Sequence, residues 1–107
     1  MTTLAEVLTR LEATIAARKA QGGEGSYTVK LLNSGDLAAK KLGEEAIETV
    51  IAAIQGDKDA LAAESADLLY HWLVLLAASG VSTQAVAEKL AAREGRSGLE
   101  EKASRPK

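Results

Sequence analysis

Between Asp57 and Gly80 the chain reads DKDALAAESADLLYHWLVLLAASG, a helix that is apolar around nearly its whole circumference. At about 100° per residue, Leu68, Leu69, Trp72, Leu73, Leu75 and Leu76 leave no broad polar face, while Glu64, Asp67 and His71 crowd into an arc of about 60°. Such a helix has to be covered on several sides, which predicts that it lies buried at the centre of a helical bundle. Two acids one turn apart have no place there unless something cationic meets them, because each unpaired charge in a low-dielectric setting costs several kcal/mol.

The segment before it supplies more acid. From about Asp36 to Ile54 the pattern is again helical, with Leu42, Ala46, Val50, Ile54 and Ile47 on one side and Glu44, Glu45 and Glu48 on another. Gly56 ends this helix and Asp57 caps the next, so the connection is short and the two helices are antiparallel neighbours. Aligning their acidic faces gathers four or five carboxylates with too few bases to pair them all, an arrangement that a divalent ion resolves. All-oxygen donors suit a hard cation, and Mg2+ is the usual choice when phosphates are the substrate. A di-iron centre in a helical bundle uses Glu-x-x-His pairs, whereas this chain has Glu-x-x-Asp and one His, so iron is disfavoured. Taken singly, the acids also fit a solvated helix face, Lys41 fits an i,i+4 ion pair with Glu45, and His71 fits a hydrogen-bonded core histidine. Gly43 is costly inside a helix and calls for an offset such as close packing of a backbone or of substrate.

The remainder of the 107 residues is short and helical. An Ala- and Leu-rich composition with 3% aromatics favours helices over strands, giving an all-α bundle of four to five helices. Helix one runs from about Leu4 to Lys19, opened by a capping box of Thr3 and Glu6. Gly22, Gly23 and Gly25 form a linker that could also admit a ligand. Ser26 to Leu32 is a short helix or helical turn whose Ser26 is either a plain cap or part of a site with Tyr27, Thr28 and Lys30. Ser82 caps the last helix, which ends by Gly95; residues 1–94 form the domain, and 95–107 form a basic tail that is mobile until ligand binds. No cysteine is present, which excludes disulfides and thiolate metal sites. The longest uninterrupted apolar run, from Trp72 to Ala78, is too short for a membrane span, and there is no basic-apolar leader, so the expected location is the cytoplasm. A net charge of −2 gives no general attraction to nucleic acid.

E-E-x-x-E over Glu44 to Glu48, followed after 15 intervening residues by E-x-x-D over Glu64 to Asp67, resembles the signature of the MazG-like all-α nucleoside triphosphate pyrophosphohydrolases. SYTVKLL at 26–32, KKLGEEAIE at 40–48, ESADLLYHWLVLL at 64–76 and REGRSGLEEKASR at 93–105 are similar to one group of these, the phosphoribosyl-ATP pyrophosphohydrolases of histidine biosynthesis. The resemblance covers nearly the whole chain. It implies a dimer formed through the central helices, Mg2+ as cofactor, and hydrolysis of phosphoribosyl-ATP to phosphoribosyl-AMP and pyrophosphate. It implies Glu45, Glu48, Glu64 and Asp67 as metal ligands, with Glu44 either supporting those ligands from behind or activating water, and with Glu44, Glu45 and Glu48 as the catalytic residues. Ser26, Tyr27, Thr28, Lys30, Lys40, Arg93, Arg96 and Arg105 are implied as substrate contacts. The acidic motif alone fits two rivals: a house-cleaning nucleotide pyrophosphohydrolase of other specificity, and a helical interaction module that binds a cation without turnover.

Overall fold

The computed structural model describes residues 2–22 and 26–95 together with 98, 102, 103 and 105. Its described residues form five helices and no strand: α1 (Leu4–Gln21), α2 (Tyr27–Leu32), α3 (Gly35–Ile54), α4 (Lys58–Ser79) and α5 (Thr83–Ala91). Each start is written by a side-chain oxygen that accepts a backbone N–H three residues on, from Thr3, Ser26, Ser34, Asp57 and Ser82. Ser34 places the third helix start one residue earlier than the sequence pattern alone suggests. The α3–α4 connection is only Gln55, Gly56 and Asp57, with Gly56 at φ 72°. Gly80, in the left-handed region at φ 71°, stops α4, and the Val81 N–H closes the cap on the Leu76 carbonyl at 2.9 Å.

The core sits where α1, α2 and the second half of α4 meet, around Ile15, Leu31, Leu32, Leu73 and Val74, with Ala38 of α3 joining them. Two polar ties hold the periphery. Lys19 Nζ donates to the Ala77 carbonyl at 2.6 Å, and the Glu12 carboxylate accepts from both the backbone N–H and the hydroxyl of Thr83, joining α1 to the start of α5.

Three expectations change. Within this chain α4 is not buried all round: His71, Leu73 and Val74 are its buried residues, Glu64 is half-buried and Asp67 is exposed. Three helices, α1, α2 and α3, pack against this 22-residue helix, and they leave part of its circumference uncovered. By length and composition α4 does reach what a membrane crossing needs, contrary to the expectation from its uninterrupted apolar run; it packs against α1, α2 and α3, which bury only part of it. Gly43 has nothing within 4 Å of where a Cβ would stand, so no neighbouring backbone offsets its cost.

Candidate active site

The α3 face turned toward α4 is built of small residues. Ala38 and Ala52 are buried there, and the half-buried Glu45 lies between them in sequence. Alanine allows the helix axes to approach closely, and the short turn fixes the register, so that Glu45 arrives opposite Glu64 and Asp67. One carboxylate oxygen from each of Glu45, Glu64 and Asp67 lies within 4.8 Å of the others.

Among the described residues the ion pair nearest these acids is Lys41–Glu44, which leaves the charges around Glu64 to act on it. Burial first, then the charges of Glu45, Glu48 and Asp67, then a hydrogen bond shared with Glu45, all push the Glu64 carboxyl above its ordinary value of 4.5. Glu48 is exposed and outside the converging trio, yet its charge still acts on Glu64. Lys41 pairs with Glu44 at 3.2 Å, three residues on, instead of with Glu45. That hydrogen bond, followed by the Glu44 charge, raises the Lys41 ammonium above its usual value. An all-oxygen donor set from two helices, with neighbouring acids raising the Glu64 pKa, fits a hard divalent cation.

A direct consequence concerns stability without metal. Below pH 4.5 both folded and unfolded chains hold the Glu64 proton. As pH rises above 4.5 the unfolded chain releases it first, so Glu64 contributes stability that is lost through the raised folded value. In EDTA the melting temperature should therefore fall more steeply between pH 4.5 and neutrality than that of Glu64→Gln. Parallel curves would remove Glu64 from the cluster.

The SYT segment stands against the same helix. Ser26 Oγ caps α2 by accepting from the Val29 N–H at 3.3 Å, and Arg18 Nη1 lies 3.5 Å from it. The Tyr27 hydroxyl meets His71 Nε2 at 2.9 Å, and Thr28 Oγ1 is hydrogen-bonded to the Tyr70 hydroxyl. Burial is the foremost cause of a raised Tyr27 pKa, opposed by Lys41 and reinforced by Glu45, which places α2 beside the acids. Lys30 and Lys40 are exposed, and Arg93 lies in the turn after α5. Arg96 and most of the tail lie outside the described residues; Arg105 is described, its N–H reaching the Lys102 carbonyl at 3.4 Å. Lys41 and Tyr70 are absent from the sequence-derived site. For Lys41 a signal existed: it shares a helical row with Glu44, Glu45 and Glu48. For Tyr70 none did, since its partner is 42 residues away.

An all-α domain whose carboxylates converge across an antiparallel helix pair is thus the class that fold and site define. The family model described as "Phosphoribosyl-ATP pyrophosphohydrolase" matches residues 8–94, and the chain belongs to that family. Membership makes it an enzyme, a hydrolase of a phosphoanhydride bond. The chain is 70% identical over 106 residues to a protein of Caulobacter sp. (strain K31) named phosphoribosyl-ATP pyrophosphatase, covering 99% of each. A protein of the same name from Caulobacter vibrioides (strain NA1000 / CB15N) is 72% identical over 102 residues, 95% of each chain. One from Azospirillum brasilense is 58% identical over 102 residues, 94% of this chain and 92% of its own.

Proposed function

We propose that the chain hydrolyses the α–β phosphoanhydride of phosphoribosyl-ATP, yielding phosphoribosyl-AMP and pyrophosphate, as a cytoplasmic, Mg2+-dependent homodimer in histidine biosynthesis. The observation that carries this reading is the convergence of Glu45, Glu64 and Asp67 within 4.8 Å, where burial and the neighbouring charges raise the Glu64 carboxyl. These three would hold Mg2+, with Glu48 at the margin; when bound, the ion neutralises phosphate charge and acidifies a coordinated water.

The chain's own groups do the rest. Glu44, paired with Lys41 and next in sequence to Glu45, would accept the proton of the attacking water. Lys41, between Glu44 and Tyr27, is a cation available to the polyphosphate, with Lys30 and Lys40 on the flanking exposed surface. The short α2 brings Tyr27 and Thr28 to the same helix that supplies Glu64 and Asp67, with Ser26 capping α2 beside Arg18. The high identity to phosphoribosyl-ATP pyrophosphatases supports this substrate over a house-cleaning specificity.

The test is pyrophosphate release, with phosphoribosyl-ATP assayed beside ATP, dATP and dUTP at equal concentration. The expected kcat/KM for phosphoribosyl-ATP exceeds the others by about 100-fold or more, equivalent to about 2.7 kcal/mol of differential transition-state binding. Equal turnover of all four would move the chain to the house-cleaning reading, and no release from any would leave only a cation-binding module.

A further inference from the structure

His71 is the one histidine in the chain, 7% exposed, and both ring nitrogens are engaged. Nδ1 lies 2.7 Å from the backbone carbonyl of Asp67, and Nε2 lies 2.9 Å from the Tyr27 hydroxyl. A carbonyl oxygen only accepts, so Nδ1 must carry the ring proton. In the neutral imidazole Nε2 is then bare, and the Tyr27 O–H is the only hydrogen that can fill that contact. The ring is also wedged edgewise between two tyrosines, with centroids 5.9 Å from Tyr27 and 5.3 Å from Tyr70. It therefore cannot flip without breaking both bonds and disturbing the adjacent Thr28–Tyr70 contact.

We propose that His71 is a positioning residue that fixes the polarity of Tyr27: by taking the phenol hydrogen, it leaves the Tyr27 oxygen able only to accept. A phosphate oxygen is itself an acceptor and gains nothing from such a group. The Tyr27 oxygen instead recognises a substrate donor, a sugar hydroxyl or an exocyclic amine, and α2 becomes the element that reads the nucleoside or ribose part of the substrate while the lysines and the acids handle its phosphates. The raised Tyr27 pKa, caused first by burial, agrees with a phenol that keeps its proton. The inference deepens the phosphoribosyl-ATP reading and rests on it for the identity of the donor, though not for the state of the imidazole.

Because there is one histidine, the long-range 1H–15N spectrum of the uniformly labelled full chain contains one imidazole. At about pH 8.5, some two units above the ordinary imidazole value, Nδ1 should appear protonated and Nε2 unprotonated, the reverse of the tautomer that free histidine prefers. Tyr27→Phe should keep that tautomer and move the Nε2 resonance further downfield. An Nε2–H tautomer, or two averaged nitrogens, overturns the proposal. In kinetics, Tyr27→Phe and His71→Leu should each raise KM for phosphoribosyl-ATP about fivefold to tenfold with kcat changed less than about twofold, and the double variant should be no worse than either. His71→Gln, whose amide oxygen can still accept from Tyr27, should recover most of the loss. Multiplying effects, or a fall in kcat at constant KM, refute the positioning role. Should His71→Leu fail to fold, the tautomer and Tyr27→Phe measurements still decide. If the unmodified chain shows the expected tautomer but releases no pyrophosphate, the functional reading fails and the imidazole assignment survives; active protein with the other tautomer sinks this inference alone.

Discussion

Glu64→Gln should abolish pyrophosphate release while leaving the metal-free melting temperature unchanged or higher. The carboxyl it replaces is crowded by Glu45, Glu48 and Asp67, and each of these charges raises its pKa. The amide keeps the shape and removes one charge from the repulsion. What it also removes is one oxygen of the converging trio, so the response to Mg2+ should vanish. In the parent, an ion present at about 100 times its Kd adds about 2.7 kcal/mol, a rise in melting temperature on the order of 10 °C for a domain of this size. Scans of both proteins in EDTA and in Mg2+ provide the comparison. Had these acids been structural ion-pair partners, the substitution would strand a base and cost about 3 kcal/mol or more with or without the ion. A large loss of metal-free stability, combined with retained activity, would overturn the assignment.

The second large effect concerns the opposite side of α3. With its alanines and Glu45 turned to α4, this helix presents Ile47, Val50, Ile51 and Ile54 outward, and Ile54 is 81% exposed. The four fall at i, i+3, i+4 and i+7, one continuous stripe. Full burial of such side chains is worth on the order of 1.5–3 kcal/mol each, which a second copy of the chain would supply twice across a twofold axis. The protein should therefore sediment as a dimer of 11.1 kDa chains at micromolar concentration, with a melting temperature that rises with concentration. Ile47→Glu combined with Ile54→Glu sets charges into that contact at a cost of several kcal/mol, weakening association by about three decades or more and leaving monomer of reduced stability. A parent that sediments as a stable monomer would refute the interface, as would a double variant that stays dimeric.

Much of the architecture was legible because it is local. Thr3, Ser26, Asp57 and Ser82 announce helix starts through their own side chains, and Gly56 and Gly80 announce stops through backbone freedom, so four of the five helix starts follow from neighbours in sequence. The acidic cluster was legible too, since a three-residue turn leaves Glu45 little choice but to meet α4. What periodicity does not carry is long-range. It shows that α4 is apolar all round but not which sides a single chain covers, so of the two acids expected to be buried Glu64 is half-buried and Asp67 is exposed. It offers Lys41 two acids one turn away and does not choose Glu44. It gives no hint that Tyr27 and His71, 44 positions apart, share a hydrogen.

The three-residue turn also bears on how the molecule assembles in time. Helices joined so closely pair through contacts of small sequence separation, which form early and set a fast folding rate. In this chain the hairpin that can nucleate first is also the one that brings Glu45 against Glu64 and Asp67. If that hairpin forms before the barrier, the self-repulsion around Glu64 would be felt there, and a cation bound to the cluster would be expected to speed folding as well as to stabilise the folded chain, which refolding rates in EDTA and in Mg2+ would show. The carboxylate cluster and the shortest connection between long helices share one hairpin, so substitutions in the cluster are expected to alter the rate at which the chain first becomes compact.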